Sequence, residues 1–269
     1  MNDEAEIYHE LAVVTGASSG IGLALARQFA DKGYDLVIAA EDDGIAAAAE
    51  ELQAYNVEVE PVQTDLATEA GVEKLAQALA GRQVDAIAIN AGVGVGGDFR
   101  ETDLRSELRL VDLNCRSTVH LAKRIIPEMA ARGSGRALFT SSIAALTPSP
   151  FEAVYGASKA FVLSFAEALR NELKDTGVTI TALMPGPTDT NFFDRAGMQD
   201  TKLYTLEKDD PDEVARQGFE ALMAGKDHIV AGATKNRVQA VAAKVMTEQG
   251  KAEMHRGLSE PGSAETVKR

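Results

Sequence analysis

The chain has 269 residues, 45% of them hydrophobic and 25% charged, with a formal net charge of −14. That length suits one large α/β domain with a sizeable core, and an acidic chain without a basic tract is not expected to bind nucleic acid. A single cysteine, Cys115, excludes an intramolecular disulfide; no apolar run reaches the ~18 residues of a transmembrane helix, and Met1-Asn2-Asp3-Glu4 lacks signal-peptide character, so a cytoplasmic protein is expected.

Apolar runs predict strands at 11–15, 35–40, 57–62, 84–90, 136–141, 178–184 and 228–231, with helical patterns between them. This alternation predicts a parallel sheet covered on both faces, with ligands bound beyond the carboxyl ends of its strands. The first strand runs into Thr15-Gly16-Ala17-Ser18-Ser19-Gly20-Ile21-Gly22, and a helical pattern follows from Leu23 to Lys32. Strand, glycine turn and helix form the context of a dinucleotide site. Glycines let the backbone approach pyrophosphate, and the helix N-terminus supplies N–H donors. The spacing is Gly-x-x-x-Gly-x-Gly, and an ordinary strand-to-helix turn is the alternative. The second strand ends in Glu41-Asp42-Asp43, and the fourth in Asn90-Ala91-Gly92. Val93-Gly94-Val95-Gly96-Gly97 continues from there, either as a mobile loop over a substrate or as a long turn.

Ser142 follows the fifth strand, and Tyr155 and Lys159 come next in Tyr155-Gly156-Ala157-Ser158-Lys159. Four residues make about one helical turn, so a phenol and an ammonium share one helix face. A neighbouring cation favours phenolate and eases proton exchange near neutral pH. Alone, this pair is more often structural. The same helix has Ala157, Phe161, Phe165, Leu169 and Leu173 as an apolar stripe, beside a small-residue stripe of Ala160, Ser164 and Ala168. Pro185-Gly186 ends the sixth strand. Beyond residue 233, Val238, Val241, Ala242, Val245 and Met246 predict a short amphipathic helix, with Lys235, Arg237 and Lys244 around it. It is expected to pack on its own domain or on a partner subunit. Residues 250–269 are polar and read as a loosely ordered tail, which leaves 1–249 as one domain. His9, His120, His228 and His255 are scattered, and no metal-ligand motif is visible.

Together these residues resemble the short-chain dehydrogenase/reductase family over roughly residues 8–232. The elements come in family order: Thr15 to Gly22, Asp65-Leu66, Asn90-Ala91-Gly92, Asn114, Ser142, Tyr155 and Lys159, then Pro185-Gly186 with Thr188 and Thr190. The resemblance implies a Rossmann-type, doubly wound, mostly parallel sheet. It implies an oxidoreductase moving hydride between a nicotinamide cofactor and a carbonyl or alcohol. Gly16, Ser18, Ser19, Gly20, Ile21 and Gly22 would hold pyrophosphate and adenosine ribose, and Asp65 and Leu66 would meet adenine. Asn90, Ala91 and Gly92 would line the middle of the cofactor. Tyr155 would be general acid in reduction and general base in oxidation. Lys159 would lower the Tyr155 pKa and bond the nicotinamide ribose. Ser142 would donate to the substrate oxygen, Asn114 would support a water chain to Lys159, and Pro185 to Thr190 would orient the carboxamide.

An acid at the end of the second strand accepts from a ribose 2′-OH, whereas a 2′-phosphate wants arginine. Glu41 stands where family members that use NADP commonly place Arg. NAD is therefore expected, with NADP the alternative. A homo-oligomer is implied, dimer or tetramer. Ala231-Gly232 departs from the Gly-Gly strand that helps build family tetramers, and leaves both states open. Phe192, Phe193 and Met198, with Phe151, are candidates for an apolar flap over a hydrophobic carbonyl compound, or for a lid that closes against the protein itself. A non-catalytic redox sensor or scaffold on the same fold would need the glycine turn but not the Asn114, Ser142, Tyr155 and Lys159 set.

Overall fold

The computed structural model describes residues 9–243 and 245–264. Among them, β1 (Leu11–Thr15), β2 (Asp35–Ala40), β3 (Val59–Gln63), β4 (Ala86–Ile89), β5 (Gly135–Thr140), β6 (Val178–Pro185) and β7 (His228–Ala231) form one sheet. Its order is β3-β2-β1-β4-β5-β6-β7, with every pairing parallel. The order reverses at β1 and β4, the switch point at which doubly wound sheets bind ligands.

The helices are α1 (Gly20–Asp31), α2 (Gly44–Gln53), α3 (Glu69–Ala78), α4 (Leu104–Val111), α5 (Ser117–Arg132), α6 (Ala153–Glu172), α7 (Phe192–Arg195), α8 (Lys202–Thr205), α9 (Pro211–Met223), α10 (Thr234–Ala243) and α11 (Glu248–Ser259). The inner strands β1, β2 and β4 read as near-continuous apolar runs because both faces are covered, whereas the edge strands β3 and β7 are partly exposed. Val13, Val37, Ile87 and Phe139 face one core with α3, α5 and α6. Ala12, Val14, Leu36, Ile38 and Leu138 face the other with α1, α2 and α9. In that second core the Phe29 ring meets Tyr34 at 5.3 Å and Phe219 at 5.1 Å, both edge-on. Full burial of one such ring stabilises by about 1.5–3 kcal/mol.

Three expectations are corrected. Of the expected stripe on α6, Phe165, Leu169 and Leu173 pack against the first core, whereas Ala157 and Phe161 are exposed, and the fully buried face is Gly156, Ser158, Lys159, Val162 and Ala166. The face is therefore narrow and partly polar, because Lys159 and Ser158 turn toward the strand ends. α10 buries Asn236, Ala240 and Ala243 and leaves Val238 and Val241 exposed, as is Val245 beyond its end. Lys244 lies outside the described residues.

The tail is the third correction. α11 begins at Glu248, capped by Thr247 Oγ1, which accepts from Gly250 N at 3.2 Å. Glu248 in its first turn and Arg256 in its last suit the helix dipole. Beyond it, Gly262 N donates to Asp200 Oδ2 at 2.8 Å and Ala264 N to Asp200 O at 3.0 Å. The segment is helical without an apolar stripe because its inward contacts are polar. Residues 265–269 of the expected tail, and Met1 to Glu4, lie outside the described residues. No described helix is long and apolar enough to cross a membrane.

Candidate active site

The ends of β1, β4 and β5 are tied together by side chains. Thr15 Oγ1 accepts from Asn90 N at 2.9 Å and Ala91 N at 3.0 Å; Asn90 Nδ2 donates back to Thr15 O at 3.1 Å, and Thr140 Oγ1 donates to Asn90 Oδ1 at 3.0 Å. Gly16 and Gly20 have φ of +68° and +56°, values unfavourable to side chains. A Cβ on Gly22 would come 2.0 Å from Gly16 O, so the turn and α1 pack without room for one. Ser19 is the N-cap of α1, yet its hydroxyl makes no capping hydrogen bond. The first N–H groups of α1 are thus left for a ligand.

Around this turn lies a cavity of about 270 Å³. Gly16, Ser18, Ser19, Gly20, Ile21, Gly22, Glu41, Asp65, Leu66, Asn90, Ala91 and Gly92 line one part of it. Ser142, Tyr155, Lys159, Pro185, Gly186, Thr188 and Thr190 line the rest. Residues from both halves of the chain thus share one wall. The Thr190 side chain closes over the glycine turn: a Cβ on Gly20 would sit 2.9 Å from Thr190 Cγ2.

Asn114 lies behind the wall, in a π-helical turn, Asp112–Arg116, between α4 and α5. Such turns displace one residue from the α register. Its Oδ1 accepts from Val93 N at 3.0 Å, and its Nδ2 donates to Val93 O at 2.9 Å and to Ser158 Oγ at 3.0 Å. Asn114 therefore fixes the segment after Gly92 as a neighbouring strand would. The glycine-rich segment continues as a packed strap: Gly96 N donates to Ala196 O at 2.9 Å and Gly97 N to Phe151 O at 2.8 Å. A Cβ on Gly94 would meet Phe192 at 2.5 Å and one on Gly96 would meet Met198 at 2.4 Å. The glycines are there for close approach.

Lys159 is 5% exposed, and its Nζ donates to Thr140 O at 2.9 Å. It lies 5.8 Å from the Tyr155 ring centroid. Burial pulls its ammonium down to about 8. Burial, then the negative charge of Glu152, pushes the Tyr155 phenol well above its ordinary range, against a hydrogen bond with Ser142. The expected lowering by Lys159 is not what dominates here. That ammonium is engaged by a carbonyl and is itself biased toward neutrality, while the phenol loses hydration. Ser142 caps the 3-10 turn Ile143–Leu146, with Oγ accepting from Ala144 N at 3.1 Å.

Of the flap candidates, Phe192 and Phe193 line the cavity, and the Phe192 ring stands 5.1 Å from the Tyr155 ring. Met198 packs with Phe193 and Ala196 instead, and Phe151 stacks under Arg256 at 5.0 Å. Sequence reasoning missed Arg109. Its guanidinium grips the Asp65 carboxylate through Nη1 at 2.8 Å and Nη2 at 3.0 Å, and Nη2 also donates to Glu41. It holds the Asp65 carboxyl below the usual carboxylate range. It missed Glu152, His255 and Leu258 as well, all of which line the cavity.

Residues 10–200 match the short chain dehydrogenase family model. The chain belongs to the short-chain dehydrogenase family. It is 34% identical over 188 residues to sulfoacetaldehyde reductase 2 of Chromohalobacter salexigens, spanning 68% of this chain and 74% of that one. A solved short-chain dehydrogenase from Sphingobium yanoikuyae, in complex with NADPH, superposes with a TM-score of 0.79 at 29% identity, covering 90% of this chain and 94% of that one. A solved structure from Beutenbergia cavernae with NADP bound at low occupancy gives 0.73 at 28% identity, covering 83% of this chain and 95% of that one. As a short-chain dehydrogenase the protein is an oxidoreductase of the NAD(P)-dependent, alcohol–carbonyl class. Nothing in these likenesses supports the sensor alternative.

Proposed function

We propose that this dehydrogenase reduces an apolar carbonyl compound, or oxidises the matching alcohol, with Tyr155 as the proton-transferring residue. One observation carries the reading: Tyr155, Ser142 and Lys159 share a cavity with the uncapped N-terminus of α1. A nicotinamide dinucleotide held along this wall would supply the hydride. The open N–H groups of α1 and the glycine turn fit its pyrophosphate. Tyr155 gives its proton to the substrate oxygen, and Ser142 donates a hydrogen bond to the same oxygen. Lys159 would hold the nicotinamide ribose, and Asn114 keeps Val93, and with it Gly92, in place beside Lys159. Phe192 and Phe193 support an apolar substrate. A screen of ketones, aldehydes and alcohols with both cofactors, read by absorbance of the reduced form, tests the reading. Turnover that survives loss of the Tyr155 hydroxyl would reject it.

Ser142→Ala is expected to lower kcat more than it weakens cofactor binding, since the hydroxyl serves the substrate oxygen. Loss of one such donor typically costs ~10²–10³ in kcat. Cofactor titration alongside steady-state kinetics checks this. Equal damage to both would move Ser142 into the cofactor's shell.

NAD(H) is the preferred cofactor in this reading. Glu41, Asp42 and Asp65 line the adenosine end, against the one guanidinium of Arg109 beside them. A 2′-phosphate would have to displace carboxylates from Arg109 and then face them. A 2′-OH can donate to Glu41 as it stands. The expected preference is roughly tenfold or more in kcat/KM, a factor equivalent to ~1.4 kcal/mol. Glu41→Arg should shift the ratio toward NADP(H), in parallel kinetics on one substrate. A parent enzyme that favours NADP(H) overturns the assignment and leaves Arg109 as the phosphate's partner.

Leu104, Leu108, Val111, Val119 and Phe161, on α4, α5 and α6, are exposed. They support a homo-oligomer built on these helices, which light scattering can measure.

A further inference from the structure

Glu152 is the N-cap residue of α6 and lies one helical turn before Tyr155. It is 3% exposed and lines the cavity. A carboxylate is rarely buried to this degree without donors around it. Its Oε2 has two partners, His255 Nε2 at 3.0 Å and Ser259 Oγ at 3.0 Å, both from α11. Ser259 Oγ and His255 Nε2 are themselves 3.1 Å apart. Its Oε1 has no hydrogen-bond partner among the described residues.

The backbone just before it is unusual. Phe151 has φ of +65°, a strained value for an aromatic residue. The strain is held in place: Phe151 O accepts from Gly97 N at 2.8 Å, and Arg256 of α11 covers the ring. The strap, the strained residue and α11 together hold Glu152 at the cavity wall. A clasp that served only to attach α11 would not need a nearly buried carboxylate with one oxygen open beside Tyr155. Phe192, Leu203, Leu206 and Leu258 add apolar surface to the same cavity.

Resting on the reading of this cavity as the substrate site, we propose that Glu152, steadied by His255 and Ser259, binds a hydrogen-bond donor on the substrate. The substrate class is then a carbonyl compound with an apolar body and, away from the reacting carbon, a hydroxyl or a protonated amine. Oε1 accepts from that donor, while His255 and Ser259 keep Oε2 occupied and the carboxylate fixed. A site built to accept from a donor discriminates strongly against an analogue that lacks it, because the open oxygen is then desolvated and unpaired.

The test uses three ketones of similar shape: para-ethylacetophenone and its para-hydroxymethyl and para-aminomethyl analogues. Binding to the full chain saturated with NAD⁺ is measured by calorimetry, and kcat/KM with NADH by absorbance. The hydroxymethyl or aminomethyl ketone should bind roughly tenfold or more tightly than the ethyl ketone. Glu152→Gln keeps size and an acceptor but removes the charge. It should abolish a preference for the amine and only reduce one for the hydroxyl, so it separates the two sources of the donor. A purely structural role would leave the ranking of the three ketones unchanged while lowering thermal stability. Equal binding of all three to the parent overturns the proposal and leaves the substrate cavity standing. Binding of none rejects the cavity reading, and the proposal with it. Should Glu152→Gln fail to fold, the parent's ranking of the three still decides.

Discussion

Replacing Tyr155 with phenylalanine is expected to lower turnover by roughly 10²–10⁴-fold, the usual contribution of a positioned proton donor. Cofactor affinity should hardly change. The ring keeps its packing against Phe192, 5.1 Å away, and only the proton at the reacting oxygen is lost. The pH profile adds a second readout. Burial and the Glu152 charge hold the phenol protonated well beyond neutral pH. Carbonyl reduction needs the protonated form, so loss of the phenol proton should not limit it from neutral pH into the alkaline range; a fall near pH 8 would report Lys159, whose ammonium titrates there. Alcohol oxidation needs the phenolate and should climb with pH across the same range. In the Tyr155→Phe enzyme the residual oxidation rate should lose this climb with pH. A variant retaining more than half of the parent kcat on a good substrate would end the assignment of Tyr155.

The parts of the site that are legible in the sequence are those whose chemistry is local. The glycine turn announces itself because Gly16, Gly20 and Gly22 answer to backbone geometry within one strand-turn-helix unit. Tyr155 and Lys159 share a face because one helical turn separates them. The sheet is legible because strands buried on both faces read as uninterrupted apolar runs, and predicted and observed strands differ by at most two residues at their ends.

What is not legible depends on pairs far apart in the chain. Arg109 matters through Asp65 and Glu41, which the fold brings to it from two other strand ends. No spacing rule connects an arginine in α4 to acids after β2 and β3. α11 escapes the sequence reading because helix detection leans on an apolar stripe, and this helix docks through His255, Ser259 and the ring-covering Arg256 instead. The Thr247 cap and the charges of its two end turns are the available signal. The direction of the Tyr155 shift is hidden for a related reason. Sequence shows a cation one turn away, but it does not show that a carbonyl already holds that cation. Nor does it show that Glu152, one turn before the phenol, is buried beside it.

Lys159→Met should remove activity and raise stability together. Loss of activity follows from the two roles proposed for one ammonium, the ribose contact and the field at Tyr155, so both KM for the cofactor and kcat should worsen. The stability effect follows from burial. The Lys159 pKa falls from 10.5 to about 8 in the folded protein, so the charged form is disfavoured there. Below pH 8 both folded and unfolded chains hold the proton, and the whole cost of burying the charge opposes folding. Between about 8 and 10.5 the unfolded chain binds more protons, so folding releases one and stability rises with pH. Above that window the cost is gone. The parent should therefore gain about 3 kcal/mol relative to the Met variant across the window. At neutral pH the variant should be the more stable of the two, less whatever is lost when Thr140 O gives up its donor. Denaturant unfolding of both proteins at pH 7 and pH 10 measures the difference. A stability gap that does not change between these two values would show that Lys159 is solvated in the folded protein. The same result would return the Tyr155 phenol to the influence of a full positive charge.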